Sequence, residues 1–599
     1  MTRVGPAAVW LRVEDALSIA VLGLMSALPL VEVVLREGLG TGLVGSIPIV
    51  QHLTLWVSFL GAGLAARSEK LLALATGAFL PPAARRVAHS VQSFVAVAVT
   101  TLLGLASIEL VGIDREFGDV AAWGIPIWVF SAIMPLGFAL ITVRLVWFAA
   151  PEARGRVIAA LGCLVPLVFL LVPHAAAGAL LWPIIALIAV CMLFGMPIYA
   201  ALGGAALLLF WEEGTPISAV PGEAYRMSTS PMLPAIPLFT LAGYILAAGG
   251  SSQRLLRVFS AAVGWMPGGL AIVVTLVLAF FTPLTGASGV TILAMGGVLL
   301  PMLLKGRYTE ANAVGLVTVS GSIGVMLPPS LPVILYAYYA EIDLEDLFVA
   351  GIIPGIVLVV AVAAWAAWRG IAGGATRTPF SGREYFSALW AAKWEVLLPF
   401  VVMFGIFGGY ATLVETAALT VLYALVLECI VFKELPWRDV VRVGIDSAAM
   451  IGGFMIILGI ALGFTNYLII AQVPMHILDW VRSTIESPLA FLLLLNLFLV
   501  VVGAVMDIYS AIIVIVPLIV PMASAFGIHP AHLGIIFLAN MQLGYLMPPM
   551  GENLFLSAYR FNKPLTELYR YVTPFVGIIA VVVLLITYVP DLTLWLIGE

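Results

Sequence analysis

The chain has 599 residues, of which 63% are hydrophobic and only 10% charged, and its mean hydropathy is +1.15. That composition excludes a water-soluble protein with a polar surface around an apolar core, and defines a polytopic membrane protein. The formal net charge of −5 arises from few ionisable groups confined to short loops, which indicates no nucleic-acid partner.

The first apolar run, residues 16–34, follows Arg3 and Arg12, is long enough to span, and has no small-residue cleavage pattern after it. It reads as a transmembrane helix rather than a removable signal. Further spans are predicted at about 48–66, 90–108 and 125–149. Arg67, Lys70, Arg85 and Arg86 lie between the second and third, and the fourth ends at Arg144, Arg154 and Arg156, whereas the loop Glu109 to Asp119 is mostly acidic. The positive-inside rule then places the N-terminus and residue 155 in the cytoplasm. A fifth run, about 156–173, carries the chain outward to Pro173 and His174, an interfacial residue on this reading. Cys163, Cys191 and Cys429 lie in apolar segments without ligand spacing and read as buried packing residues.

From about residue 177 a larger part begins, and it repeats. At a fixed offset of 220 residues Pro301 and Met302 fall on Pro521 and Met522, and Gly324 on Gly544. In the same register Pro328 and Pro329 fall on Pro548 and Pro549, Tyr339 on Tyr559, and Pro354 on Pro574. Prolines and a glycine in register over about 70 residues mark an internal repeat. Equivalent loops have opposite charge character: EIDLED, 341–346, is acidic, and its partner region holds Arg560, Lys563 and Arg570. The two copies are therefore expected to be inverted in the membrane. Residues 267–304 must enter from and return to the cytoplasm, so they are predicted to form a re-entrant hairpin with its tip at TPLTGASG. A second hairpin, 487–524, has its tip at GAVMDIYS, 503–510. An amphipathic arm precedes each, at about 251–264 and 473–486.

The Pro-Pro pairs break two helices inside the bilayer, where orphaned carbonyls cost several kcal/mol unless protein, water or a ligand satisfies them. Tips and breaks together make a site: TGASG with SGSIGVMLPPS, and GAVMD with ANMQLGYLMPPMGEN. Ser320 and Ser322 have an ordinary alternative, bonding back to their own helix, and Thr285 and Ser288 are also plain turn residues. A carboxylate near the bilayer centre costs about 2.5–3.5 kcal/mol on insertion scales, so Asp507 reads as functional, while Glu552 follows a break and stands near the interface. Asn540, Gln542 and Asn553 offer amide oxygens to a cation or donors to a carboxylate.

At these residues the chain resembles the membrane component of the tripartite ATP-independent periplasmic (TRAP) transporters. The resemblance rests on AIPLFTLAGYILAAGG, 235–250, GGLAIVVTLVLAFFTPLTGASG, 268–289, SGSIGVMLPPSLPVILYA, 320–337, GAVMDIYSAIIVIVPLIVP, 503–521, and LGYLMPPMGENLF, 543–555. It covers residues 177–590, which look like the large permease subunit with repeats at about 177–370 and 394–590. Residues 1–153 look like the small four-helix subunit, joined through 154–176.

The fold implied is an all-α inverted-repeat elevator in the bacterial inner membrane. The function implied is sodium-driven import of a small organic acid delivered by a periplasmic solute-binding protein, with sodium as coupling ion and no other cofactor. Sodium ligands are expected from Gly286, Ala287, Ser288, Ser320, Ser322, Gly324 and Pro328 on one side, and Gly503, Asp507, Asn540, Gln542, Gly544 and Met547 on the other. Substrate is expected near Thr285, Ser288, Ser330, Glu552 and Asn553. The chain departs from many relatives in two places: the first tip, TGASGVTILAMGG, holds no acid, and Met547 stands where a threonine is common.

Two other functions compete. A stand-alone ion-coupled exchanger would use the same site without a binding protein. A membrane enzyme would use Asp507 and Glu552 as acid and base, but no metal or nucleophile constellation accompanies them. No Gly-rich loop ending in Gly-Lys-Ser/Thr occurs, so no ATPase partner or fused ATP-driven pump is indicated.

Overall fold

A computed structural model describes residues 6–71, 73, 81–150, 152–167, 177–285, 288–485, 487–548 and 551–598. Nine helices among the described residues are long and apolar enough to cross a membrane, or up to twelve if each of three sharply bent pairs is one span. The described chain divides into two compact units, residues 1–241 with 441–473, and residues 242–440 with 474–599.

The first unit contains the helices Pro6–Leu39, Ser46–Arg67, Pro82–Phe117 and Ile133–Phe148, joined by a small two-stranded ribbon before the last of them. The third helix runs through the stretch expected to be an acidic loop. Two of its acids have partners within the protein: Glu109 accepts from Ser218 Oγ at 3.2 Å and Asp114 from Ser131 Oγ at 2.6 Å. Arg144 differs from expectation as well. It is a buried residue, not a loop charge, and its guanidinium pairs with Glu14 of the first helix (Nη1 to Oε1 2.7 Å) and donates to the Gly63 carbonyl of the second. Arg67 adds a 2.7 Å pair to Asp15. A buried guanidinium needs such a partner, and here the pair fastens three helices together.

Small residues let two helices of this unit touch backbone to backbone. A Cβ on Gly61 would overlap the Ala448 carbonyl, and one on Gly452 would overlap Gly61 itself, so helix Ser46–Arg67 lies directly against helix Trp437–Ile470. Side chains reinforce the seam between the N-terminal helices and the segment 198–228. His52 Nε2 and the Tyr225 hydroxyl are 2.7 Å apart, and Thr100 Oγ1 and the Tyr199 hydroxyl 2.8 Å. Of the expected fifth span, a helix at Ala153–Leu161 and a turn at Gly162–Leu164 are described; Pro173 and His174 lie outside the described residues. The cysteines are free thiols; Cys191 is buried as expected, whereas Cys163 and Cys429 are only half-buried.

The second unit carries both hairpins and both breaks. Arm Ser251–Val263 leads to hairpin Gly269–Thr285 and Ser288–Lys305, then to Glu310–Ser320, a short 3-10 turn Ile323–Met326, and Leu331–Ala340. Arm Val473–Thr484 leads to Pro488–Val505 and Ile508–Ala525, then to Pro530–Gly544 and Glu552–Phe561. From the tips onward the helices of the second set begin within a residue of the first at the offset of 220, so the repeat in sequence is a repeat in structure, although helix Pro530–Gly544 runs four residues further than its counterpart. The hairpin helices reach into the expected tips: the first runs through Pro283 to Thr285, and the second tip is only Met506 and Asp507.

The packing between repeats is reciprocal. Ser288–Lys305 packs on Glu552–Phe561, and its counterpart Ile508–Ala525 packs on Leu331–Ala340. Each hairpin's second helix thus rests on the other repeat's half-helix, as a two-fold relation between the repeats requires.

Candidate functional site at the tips and breaks

Each break lies against its own hairpin at a glycine. A Cβ on Gly324 would stand 2.7 Å from Pro283 Cδ, and one on Gly544 would stand 2.6 Å from Gly503 Cα. These positions correspond under the repeat, so both breaks use the missing side chain to bring irregular backbone against a hairpin. Thr282 Oγ1, also on the first hairpin, donates to the Gly321 carbonyl at 3.0 Å. The carbonyl of Ser288 lies beside Gly321, which brings the first tip to the first break.

The repeats meet at Asn553. Its Nδ2 donates to Ser322 Oγ at 3.0 Å and to the Thr318 carbonyl at 3.2 Å, while Thr318 Oγ1 donates to Ser557 Oγ at 2.8 Å. Ser322 also bonds back weakly to the Val319 carbonyl at 3.4 Å, the ordinary role, whereas Ser320 does not. Ser320 is fully buried and its hydroxyl has no hydrogen-bond partner. The same is true of Asn540 Oδ1, Asn553 Oδ1 and both amide atoms of Gln542. A buried polar atom without a partner costs about 1–3 kcal/mol, and the four oxygens belong to residues of the helices that flank the two breaks. Among the described residues no three His, Cys, Asp or Glu side chains come together as metal ligands.

The carboxylates have distinct surroundings. Asp507 caps helix Ile508–Ala525, with Oδ1 accepting from Ser510 Oγ at 2.6 Å and Oδ2 from Ser510 N at 3.1 Å. Glu552 begins the helix after the second break and faces the first hairpin, where its Oε1 would be 3.3 Å from a Cβ on Gly289. It is hydrogen-bonded to Tyr545, whose hydroxyl accepts the Ile508 N–H at 2.7 Å, and it lies within electrostatic reach of Asp507. Glu552 therefore stands between the first hairpin and the second tip.

Ser288 and Ser330 are buried at the starts of helices Ser288–Lys305 and Leu331–Ala340. Thr285 closes the first hairpin helix, and Gly286 and Ala287 lie outside the described residues. Pro328 follows the 3-10 turn, and Met547 accepts the Gly551 N–H at 3.0 Å, closing the second break. Sequence reasoning missed Asn496, whose Oδ1 accepts from Asn540 Nδ2 at 2.5 Å and from Thr587 Oγ1 at 3.1 Å. It also missed Tyr545. The signal for Asn496 was a single amide inside the apolar run FLLLLNLFLV.

A predominantly helical, multi-pass chain that doubles a hairpin and a broken helix, with tips and breaks gathered in one unit, is an inverted-repeat membrane transporter. Residues 185–592 match the tripartite ATP-independent periplasmic transporter, DctM component, and residues 25–155 match the DctQ component of the same transporters. Among similar proteins, the isethionate TRAP transporter permease protein DctMQ of Oleidesulfovibrio alaskensis is 30% identical over 84% of this chain and 80% of its own length. The C4-dicarboxylate TRAP transporter large permease protein DctM of Pseudomonas aeruginosa is 31% identical over 65% of this chain and 92% of its own. The ectoine TRAP transporter large permease protein TeaC of Halomonas elongata is 29% identical over 60% of this chain and 85% of its own. The chain belongs to the tripartite ATP-independent periplasmic transporter family, as a fused permease that joins the small and large membrane components, and it is a transport protein rather than an enzyme.

Proposed function

We propose that this permease imports a small organic acid by sodium symport, taking the substrate from a periplasmic solute-binding protein. The observation that carries the sodium reading is the set of buried oxygens without partners on Ser320, Asn540, Gln542 and Asn553, beside two helix breaks. Sodium takes neutral oxygens and backbone carbonyls, and a bound ion would satisfy atoms that the protein leaves unsatisfied. Residues 320–328 with the first tip, and residues 540–548 with the second, form one cation site each. Asp507 belongs to the second while capping its helix.

The organic anion binds between Ser288, Ser330, Asn553 and Thr285, with the N-terminal ends of the half-helices supplying positive potential. Printed names of relatives, isethionate and C4-dicarboxylate among them, support a small acid as cargo. Hairpins and half-helices carry the site across the bilayer as an elevator, and the N-terminal four-helix part, residues 1–153, enlarges the static side. The N-terminus faces the cytoplasm of a bacterial inner membrane, as the loop charges direct.

The test is uptake into proteoliposomes with an inward sodium gradient, comparing candidate acids alone with acids plus the solute-binding protein encoded nearby. Uptake that requires both sodium and the binding protein is the expected result. Uptake with sodium alone would make the permease a stand-alone carrier, and uptake indifferent to sodium would overturn the coupling.

A further inference from the structure

A charged cluster outside the site, buried except at Glu434, lies at the base of the first arm helix. Helices Ala235–Ala248 and Ser251–Val263 meet at 72° across Gly249 and Gly250. The carboxylates lie against this bend: a Cβ on Gly249 would meet Glu428 Oε2, and one on Gly250 would meet Glu434 Oε2.

Glu428 sits on a π-helical turn, Val426–Val431, and is fully buried. Such turns are rare and often functional. Its Oε2 accepts the Gly250 N–H at 3.1 Å, and its Oε1 accepts from the Ser251 hydroxyl and from Arg254 Nη2 at 2.9 Å. A carboxylate from another helix thereby caps the arm, where the helix end is positive. One turn along, Arg254 donates from Nε to Glu395, at the start of helix Lys393–Phe407, and from Nη1 to Glu434. Its guanidinium carbon lies 3.6 Å from the centre of the Phe432 ring.

Three carboxylates around one guanidinium exceed what ion pairing for stability requires, and Glu395 Oε2 stays buried without a hydrogen-bond partner. Apolar side chains of similar volume would join these helices at lower cost. What the charged set adds is direction, since a planar guanidinium bonds along fixed vectors. The arm in turn packs along the first hairpin, where Phe259 and Phe280 meet edge to face with centroids 6.3 Å apart.

We propose that Arg254 and Glu428 are positioning residues for transport: with the Gly249–Gly250 bend they form an ionic pivot that sets the angle of the first arm and, through it, of the first hairpin. The inference rests on the transport reading above. A rigid link from the arm to helices Lys393–Phe407 and Leu413–Leu425 makes hairpin displacement act through the bend at the two glycines and not through sliding of the arm. Loss of the pivot leaves the binding site intact and slows its passage between orientations.

The test combines spin-label distances between Gln253 and Phe400, both exposed, with uptake kinetics of the full chain. In the parent a single narrow distance distribution is expected. Arg254→Lys, which keeps the charge but not the fork, is expected to broaden it and to lower the maximal uptake rate about tenfold while KM stays within about twofold. Arg254→Ala leaves buried glutamates unpaired and risks misfolding, so the triple replacement Arg254→Met, Glu395→Leu, Glu428→Met serves as the folded control. It should bind sodium as the parent does, by sodium-dependent thermal stabilisation, yet show the broad distribution and slow uptake. A folded triple variant with parental rate and a narrow distribution would overturn the pivot. A parent without sodium-driven uptake would overturn the transport reading, and the distance distributions of the variants would then decide the pivot alone.

Discussion

The side-chain amide of Asn553 donates to Ser322 Oγ at 3.0 Å and to the Thr318 carbonyl at 3.2 Å, so the helix after the second break is bonded to the helix that enters the first. Asn553→Ala removes both bonds and leaves buried acceptors bare, at a cost of about 1–3 kcal/mol. A lower thermal midpoint in detergent is the expected reading. An unchanged midpoint would mean that the two repeats do not depend on this joint.

Ser320 offers the opposite case, a buried hydroxyl with nothing to lose within the protein. Ser320→Ala should leave the unfolding midpoint within the usual scatter of neutral substitutions, about 0.5 kcal/mol. If the hydroxyl ligates sodium, the half-saturating sodium concentration for uptake rises about tenfold, equivalent to about 1.4 kcal/mol. Parental sodium dependence in this variant would remove Ser320 from the cation site.

Gly544 and Gly503 test the close approach of break and hairpin. Gly544→Ala would place its Cβ 2.6 Å from Gly503 Cα, where backbone must move. Overpacking of this kind costs about 1–3 kcal/mol. Gly577→Ala, in helix Leu565–Tyr588 with nothing within 4 Å of the added carbon, is the matched control. It should be neutral or slightly stabilising, because alanine favours helix by up to about 1 kcal/mol over glycine. Equal midpoints for the two variants would refute the tight contact.

Asp507 has a capping duty that can be separated from coupling. Asp507→Ala loses the cap on Ser510 and about 1 kcal/mol, whereas Asp507→Asn keeps an acceptor and should nearly preserve the midpoint. The cation reading expects the asparagine variant to need more sodium for the same uptake. Should it match the parent in a sodium titration, the carboxylate serves the helix alone.

Hairpins and breaks were legible because proline and glycine announce backbone irregularity locally, and because the register of Pro328 and Pro329 with Pro548 and Pro549 repeats it. Arg144 was misplaced for a reason of the same kind: single charges at the end of an apolar run ordinarily mark a loop, and only the fold brings Glu14, 130 residues away in sequence, to its guanidinium. Asn496 and Tyr545 escaped notice because one polar group on an apolar helix gains meaning from what it faces. Ser320 and Gln542 were legible as polar groups at a break, but their lack of partners is a property of three-dimensional packing.

The direct contact of Gly61 with Gly452 bears on how the two components came to share one polypeptide. Helices that touch through their backbones, with His52 bonded to Tyr225 and Thr100 to Tyr199 beside them, stay associated through their own surfaces. Severing the chain by a protease between residues 154 and 176 should therefore release no fragment from the purified particle: both pieces should co-elute from a sizing column. The peptide bond there would serve equal dosage of two halves that already recognise each other.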